Sequence, residues 1–419
     1  MKGRAGREGM ALVVVLCLTV LAVGALAILG ALAGGAALRS RDLVRNEQAF
    51  YVAEAAIELA VQHIAAGGTV PITLEGALGG GAYSADIEME GLPAGGYTRY
   101  RIASAGTVGR RTRRVSIRGV RAVSWARYAL WYNAEAVQLW MVGGEKFYGP
   151  VHANSQMRFH SHQVATLGQT RFFDQTSSTH SSYEVQNASV VPIFDRGMVL
   201  NAPTQSTMSV DFTQLRTAAD LVLEGTTDIT LTGTNMVVSN ARMGWTNRVM
   251  PVPSNGSVYV ATSTTGATGT RPGDIRLSGT AGLNGRLTLV AAQDIQIVNH
   301  VRYAVSPLVN SNSTDALGLV ARRHVMVQTN APNNLEVFAH LIAAEGGFGV
   351  VNYTSTSLGD RGTLTVYGGI VNHTRQAVGS TSGTGYKKNY IYDERFHMHP
   401  PPGYPVLPFA YQWTSWEDS

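Results

Sequence analysis

From Met10 to Leu38 no charged residue interrupts the chain. As a helix rising about 1.5 Å per residue, a stretch of that length exceeds the roughly 30 Å hydrocarbon core of a bilayer. No Pro follows it. Instead Phe50, Ala53, Ile57, Ala60 and Ile64 recur at three- and four-residue intervals, drawing one apolar stripe along a continuing helix. Gly67, Gly68 and Pro71 supply the stop. Residues 10–67 therefore read as a single helix, lipid-embedded at one end and packed on protein at the other. Gly24, Gly30, Gly34 and Gly35 are tolerated in a membrane, where they let helices approach closely.

The period then changes to two. "AYSADIEME", "YTRYRIASAG" and "RRVSIRGVRA" alternate apolar and polar positions between Gly- and Pro-containing breaks, which predicts a small antiparallel β-meander within 68–130. Beyond about Phe147 short β-branched runs recur with Asn, Gly and Asp between them. "DITLTG", "DIRLSG" and "DIQIVN" share an Asp-Ile frame, and "GRLTLVAA", "LGLVARRHVMV" and "GTLTVYGGIVN" follow the same style. No helical period intervenes, so 131–375 reads as an all-β parallel β-solenoid, each coil burying its inward Ile, Leu and Val against the next. An antiparallel β-sandwich is the competing architecture. The aromatic and Pro-rich 376–419, with Tyr386, Tyr390, Tyr392, Phe396 and Tyr404, is expected to cover the solenoid's open end. A ligand-binding aromatic platform is the alternative there. The fold class is α+β.

Composition sharpens this. Only 15% of residues are charged and 46 are Gly, which suits a turn-rich extracytoplasmic protein. Cys17 is the sole cysteine, excluding an intrachain disulfide and a multi-thiolate zinc site. Lys2, Arg4 and Arg7 precede the apolar run, so the positive-inside rule places the N-terminus in the cytoplasm and the rest outside a bacterial inner membrane. The small residues of "ALAGGAA" leave a cleaved secretory signal as the other reading.

A cationic leader (1–9) ending in Gly9, then Ala11, Leu12, Val13 and Val14, then Ala49, Ala53, Glu54 and Ala55 in "AFYVAEAAIELA", resembles the PilX-type minor pilins of type IV pili. "FYGPVHANSQMRF" and "GTLTVYGGIVNHTRQAVGS" resemble the DUF4900-type region of pilus-associated envelope proteins, and the layout is similar to DNA-uptake minor pilins with a solenoid set into the head. The resemblance implies prepilin-peptidase cleavage between Gly9 and Met10, and helix packing through Phe50, Ala53, Glu54, Ile57, Ala60 and Ile64. It also implies other pilin-like subunits, the pilus assembly platform and the inner membrane as partners. One departure stands out: Val14 occupies the fifth mature position, where major pilins carry Glu.

The densest charge feature is "GRRTRRVSIRGVRAVSWAR", with Arg110, Arg111, Arg113, Arg114, Arg118, Arg121 and Arg127 and no acid. Arg tracks phosphates, and Tyr128, Trp131 and Tyr132 nearby could stack on unpaired bases, so this is the candidate nucleic-acid-binding stretch. The alternative is a solvated edge strand protected by its charge, with Arg114, Ser116 and Arg118 outward and Val115 and Ile117 inward. His160 and His162, and His397 and His399, are weak metal candidates at two-residue spacing, lacking an accompanying carboxylate or thiolate. His152 reads as a turn or coil-stacking residue. Asp228, Asp274 and Asp294 would form an acidic ladder if their strands stacked in register, or each would cap a turn.

No catalytic motif occurs, so a non-enzymatic interaction protein without cofactor is expected, acting in pilus assembly, adhesion or DNA uptake. DNA or a surface polysaccharide is the expected ligand of the outer domain. Two alternatives stay open: an envelope-tethered carbohydrate-active or carbohydrate-binding β-helix, and a purely structural envelope protein.

Overall fold

The computed structural model describes residues 5–65, 69–90, 99–135, 137–205, 208–254, 256–263 and 272–418. Lys2 and Arg4 of the leader, the helix-stopping Gly67 and Gly68, and the turn expected at 91–96 lie outside these residues. The chain divides into two compact units. The first comprises residues 1–91, 99–121 and 411–419; the second comprises 92–98 and 122–410.

In the first unit a single helix α1 (Ala5–Ala65) runs without a break at Arg39. Four strands follow: β1 (Ile72–Leu78), β2 (Gly81–Met89), β3 (Tyr100–Val108) and β4 (Arg111–Ser124). Each pairs antiparallel with the next. β1, in "ITLEGAL", is a strand that the alternation pattern did not announce. Nor is β4 an edge, because the C-terminal strand Ser415–Asp418 pairs antiparallel along it, Trp416 opposite Ile117.

The helix lies on this sheet through its second half. Ala49, Val52, Ala53, Ala56, Ile57, Ala60 and Ile64 are buried, a 3- and 4-residue repeat that makes one face. Ala53, Ile57 and Ile64 pack with Ile87, Ile102, Val115 and Ile117 from β2, β3 and β4. Small residues on the helix allow close approach, and Ser104 Oγ donates to the Ala53 carbonyl at 2.8 Å.

The second unit is dominated by parallel pairing. The strand Leu221–Glu224 pairs with Ser257–Ala261, that with Arg286–Ala291, and the series continues through Ala316–Ala321, Glu336–Ala343 and Asp360–Arg375. An antiparallel sandwich would have a different ladder; among the described residues of this unit, antiparallel pairing is confined to local hairpins such as Thr227–Thr232 with Asn235–Asn240.

The order of the rungs is not the order of the chain. The second half of Asp360–Arg375 pairs in parallel with Leu130–Glu135, which then pairs with Val151–Ala153, and that with Thr176–Ser178. The chain thus enters mid-stack, builds in one direction, and returns from the far side to meet its own beginning. One register column crosses this seam: Val258, Leu289, Leu319, Leu341, Ile370, Leu130 and Val151 are successive partners, all buried. At about 4.8 Å between strands, every inward side chain touches the ones above and below.

Residues 376–419 do not form a separate cover. Gly385–Tyr392 is a rung inside the stack, between the first half of Asp360–Arg375 and Lys146–Tyr148. Tyr404 is buried with its hydroxyl on His340, and residues 411–419 belong to the first unit. Alternating aromatic residues satisfied a strand's inward positions, which the Pro-rich context had hidden.

Candidate functional site

Gly9 and Met10 lie within α1, and from Leu12 to Leu38 the helix's large apolar side chains are exposed. By length and composition this helix can cross a membrane. Val14 is among the exposed residues.

The expected packing stripe is already used. Ala53, Ile57, Ala60 and Ile64 are buried on the chain's own sheet with Phe50 packed against them, and Glu54 is half-buried. The exposed apolar residues of the upper helix are Leu43, Val44 and Tyr51, the last two one heptad apart and so on one face.

The arginine stretch separates into four environments. Arg110, Arg114 and Arg118 are exposed, while Val115 and Ile117 are buried as the alternation of β4 requires. Arg111 is held by Asp42 at 2.7 Å; Arg113 is held by Asp418 at 2.8 Å and sits over the Phe50 ring. Arg121 is buried, its pKa lowered by desolvation and then by Arg99. Arg127 belongs to the second unit and lies over Tyr128. Tyr128, Trp131 and Tyr132 are buried core residues, so the expectation that they stack on bases is corrected: their rings fill the interior of the second unit.

No group of three His, Cys, Asp or Glu with metal-binding geometry occurs among the described residues. His160 Nδ1 accepts the backbone N–H of His162 at 2.9 Å, in a loop and not on a strand, and its ring meets Trp140 edge-on. Burial, then the neighbouring His162, lowers the His160 pKa. His397 ends a 3₁₀-helix (Glu394–His397), so it and His399 do not share a strand face. His152 is buried with both ring nitrogens engaged, by Ser177 and Asn154 at 2.8 Å each, which is the stacking role expected for it.

The acidic ladder is broken by register. Asp228 stands opposite Arg276, at 3.6 Å, because the first repeat is displaced two residues against the second. Asp274 and Asp294 do stack, and each accepts a backbone N–H from the next rung: Asp274 Oδ1 from Asp294 and Asp294 Oδ1 from His324. Arg323 neutralises Asp294 at 2.8 Å.

What the sequence did not flag is a buried ionic set at the seam. Arg375 and Glu135 are register partners 2.9 Å apart; Arg158 reaches the other Glu135 oxygen at 2.8 Å; Lys388 binds Glu145 at 2.7 Å. Burial alone would lower the Arg375 pKa, but Tyr132, Glu135 and Glu145 outweigh it and raise it. Burial lowers that of Lys388 against the pull of Glu145. Tyr132, under the Arg375 guanidinium, is pushed up to about 12, chiefly by burial. Each charge lies far in sequence from its partner, in an apolar or Gly-rich context, so no local pattern marks it.

No protein-family model and no curated protein matches the chain. Among solved structures, the competence-associated pilin ComZ from Thermus thermophilus aligns over 90% of this chain and 98% of its own, with 13% identity and a TM-score of 0.31. A likeness that loose carries no argument about function.

Proposed function

We propose that this chain is a membrane-anchored, minor-pilin-like component of a type IV pilus or related system. It carries a β-solenoid ectodomain outside the inner membrane and acts in assembly, adhesion or DNA uptake. One observation carries the reading. An unbroken helix, Ala5–Ala65, is exposed and apolar in its first half and seated on an antiparallel sheet by its second. A cleaved signal or a plain anchor has no need of that continuity. The residues Gly9, Ala11, Leu12, Val13 and Val14, with Ala53, Glu54 and Ala55, add the pilin-like motif.

The parallel register column from Val258 to Val151 supports the solenoid, since each rung pairs with the next turn of chain. The Val44 and Tyr51 face is offered to other pilin-like subunits, and Lys2, Arg4 and Arg7 set the N-terminus in the cytoplasm. Val14 in place of Glu suits a tip position with no subunit above it. DNA would be engaged by Arg110, Arg114 and Arg118, the exposed part of the cluster. The role is that of an interaction protein and includes no catalytic step. Mass spectrometry of the membrane-extracted chain tests the reading: Met10 is expected as the first residue. An intact Met1, or a cut after Ala37, overturns it.

A further inference from the structure

Helix α1 carries no charge from Met10 to Leu38, and Arg39 is the first ionised side chain beyond that stretch. A span longer than the hydrocarbon tilts to fit, so Arg39 stands where hydrocarbon gives way to headgroups. Arg41 and Arg45 follow, both exposed. At four-residue spacing they continue the stripe of Ala49 and Ala53, the side on which the antiparallel sheet lies. One end of that sheet comes down to meet them. Ser104 bonds to the Ala53 carbonyl, Val108 packs with Ala49 and Val52, and a Cβ on Gly109 would lie 3.7 Å from Arg45 Cδ. The exposed Arg110 and Arg111 therefore project from the turn between β3 and β4 at the level of Arg45. Arg45 is about 9 Å further along the helix than Arg39. The headgroup layer is roughly 5–8 Å deep, so these long side chains can reach back into it.

We propose that Arg41, Arg45 and Arg110 form a site for the anionic headgroups of phospholipid in the leaflet from which the helix emerges. Two acids occur at this level of the helix. Asp42 is taken by Arg111 at 2.7 Å, a pair that also ties the turn to the helix. Glu47 stands about 200° round the helix from Arg45. Among the described residues no carboxylate pairs with Arg41, Arg45 or Arg110. Their charge is uncompensated within the chain and lies against the membrane surface, where each arginine strengthens attraction to anionic lipid several-fold. Guanidinium groups also bind phosphate oxygens in pairs. A zwitterionic headgroup brings its own cation, which these arginines repel. Arg114, opposite Ala105 in the ladder, and Arg118 lie further up β4, away from this level. The inference rests on the membrane-anchored part of the proposed function and not on the pilus assignment.

The test inserts the full chain into nanodiscs of phosphatidylcholine alone and of phosphatidylcholine and phosphatidylglycerol in two-to-one ratio. Amide exchange is followed at residues 39–47 and 108–112. Exchange there should slow severalfold in the anionic discs, and high salt should abolish the difference. Replacing Arg41, Arg45 and Arg110 together with Gln should remove it, and Arg45→Gln alone should reduce it if the triple variant does not fold. Arg216→Gln, at an exposed position of the second unit, should leave it unchanged. Inorganic phosphate added to the phosphatidylcholine discs should not reproduce the slowing. Equal exchange in both discs overturns the inference, as does a difference that survives in the Arg45→Gln and triple variants, or one that phosphate alone produces. A chain that fails to enter either disc overturns the membrane reading itself, whereas equal exchange in an inserted chain overturns only the lipid site.

Discussion

A Cβ placed on Gly106 would stand 2.1 Å from the Ala49 carbonyl oxygen and 2.5 Å from the Ala53 backbone nitrogen. Helix α1 and strand β3 therefore meet backbone to backbone, and the amphipathic half of the rod is located by a residue that has no side chain. Gly81 makes a second close approach: a methyl group there would lie 3.3 Å from Val52 Cγ2.

Gly106→Ala must push helix and sheet apart, and overpacking of this kind costs about 1–3 kcal/mol. Thermal unfolding and amide exchange of residues 49–64 should both show the loss. Gly24→Ala, which meets nothing within 4 Å, should leave the first unit's stability unchanged. Equal melting temperatures for parent and Gly106→Ala would remove the close-contact account.

The seam should fail asymmetrically. Arg375→Ala leaves Glu135 still bound by Arg158, whereas Glu135→Ala takes the carboxylate from the buried Arg375 while Arg158 keeps only Glu184. Breaking a buried pair costs about 3–5 kcal/mol, and Glu135→Ala should fall at the upper end with Arg375→Ala below it. Urea unfolding of the full chain, followed by tryptophan fluorescence from the buried Trp125 and Trp131, reads the order. A reversed order would contradict the arrangement.

His340 makes the second unit acid-sensitive. Its Nδ1 pairs with the Tyr404 hydroxyl at 2.8 Å and its Nε2 with the Tyr128 carbonyl at 3.1 Å, Phe396 packs edge-on, and burial holds its pKa down to about 3. The unfolded imidazole titrates near 6.5, so between these values the unfolded state binds the extra proton. Stability is then undiminished above pH 6.5 and declines as pH falls toward 3. At pH 4.5 the loss from this one group is on the order of 3 kcal/mol. Melting curves at pH 7 and 4.5 should separate further for the parent than for His340→Gln.

If Arg110, Arg114 and Arg118 contact phosphates, replacing all three with Ala should lower DNA retention. It should also flatten the plot of log affinity against log salt by roughly 0.9 for each phosphate that is no longer neutralised. Arg121→Ala, at a buried position, should leave that slope alone. An unchanged slope in the triple variant would dismiss the surface.

The amphipathic stripe at 50–64, the inward Val115 and Ile117, and the β character of 131–375 were legible because each depends on a short period in the sequence. The buried charges were not. Glu135 and Arg375 are 240 positions apart and become neighbours only when the last long rung closes on the first. Tyr128, Trp131 and Tyr132 followed an arginine run and so looked available, but the rung beginning at Leu130 turns them into core. The Asp frame misled in the same way, since its two-residue offset belongs to the stacking and not to the repeat.

By itself, the sequence determined that one long helix would leave an apolar half exposed and that β-structure would fill the remainder, because hydrophobic period acts locally. Tertiary structure alone decided where the stack closes and which ions are sealed inside. Those outcomes rest on contacts between segments hundreds of residues apart, where register and burial decide energies that no local pattern encodes.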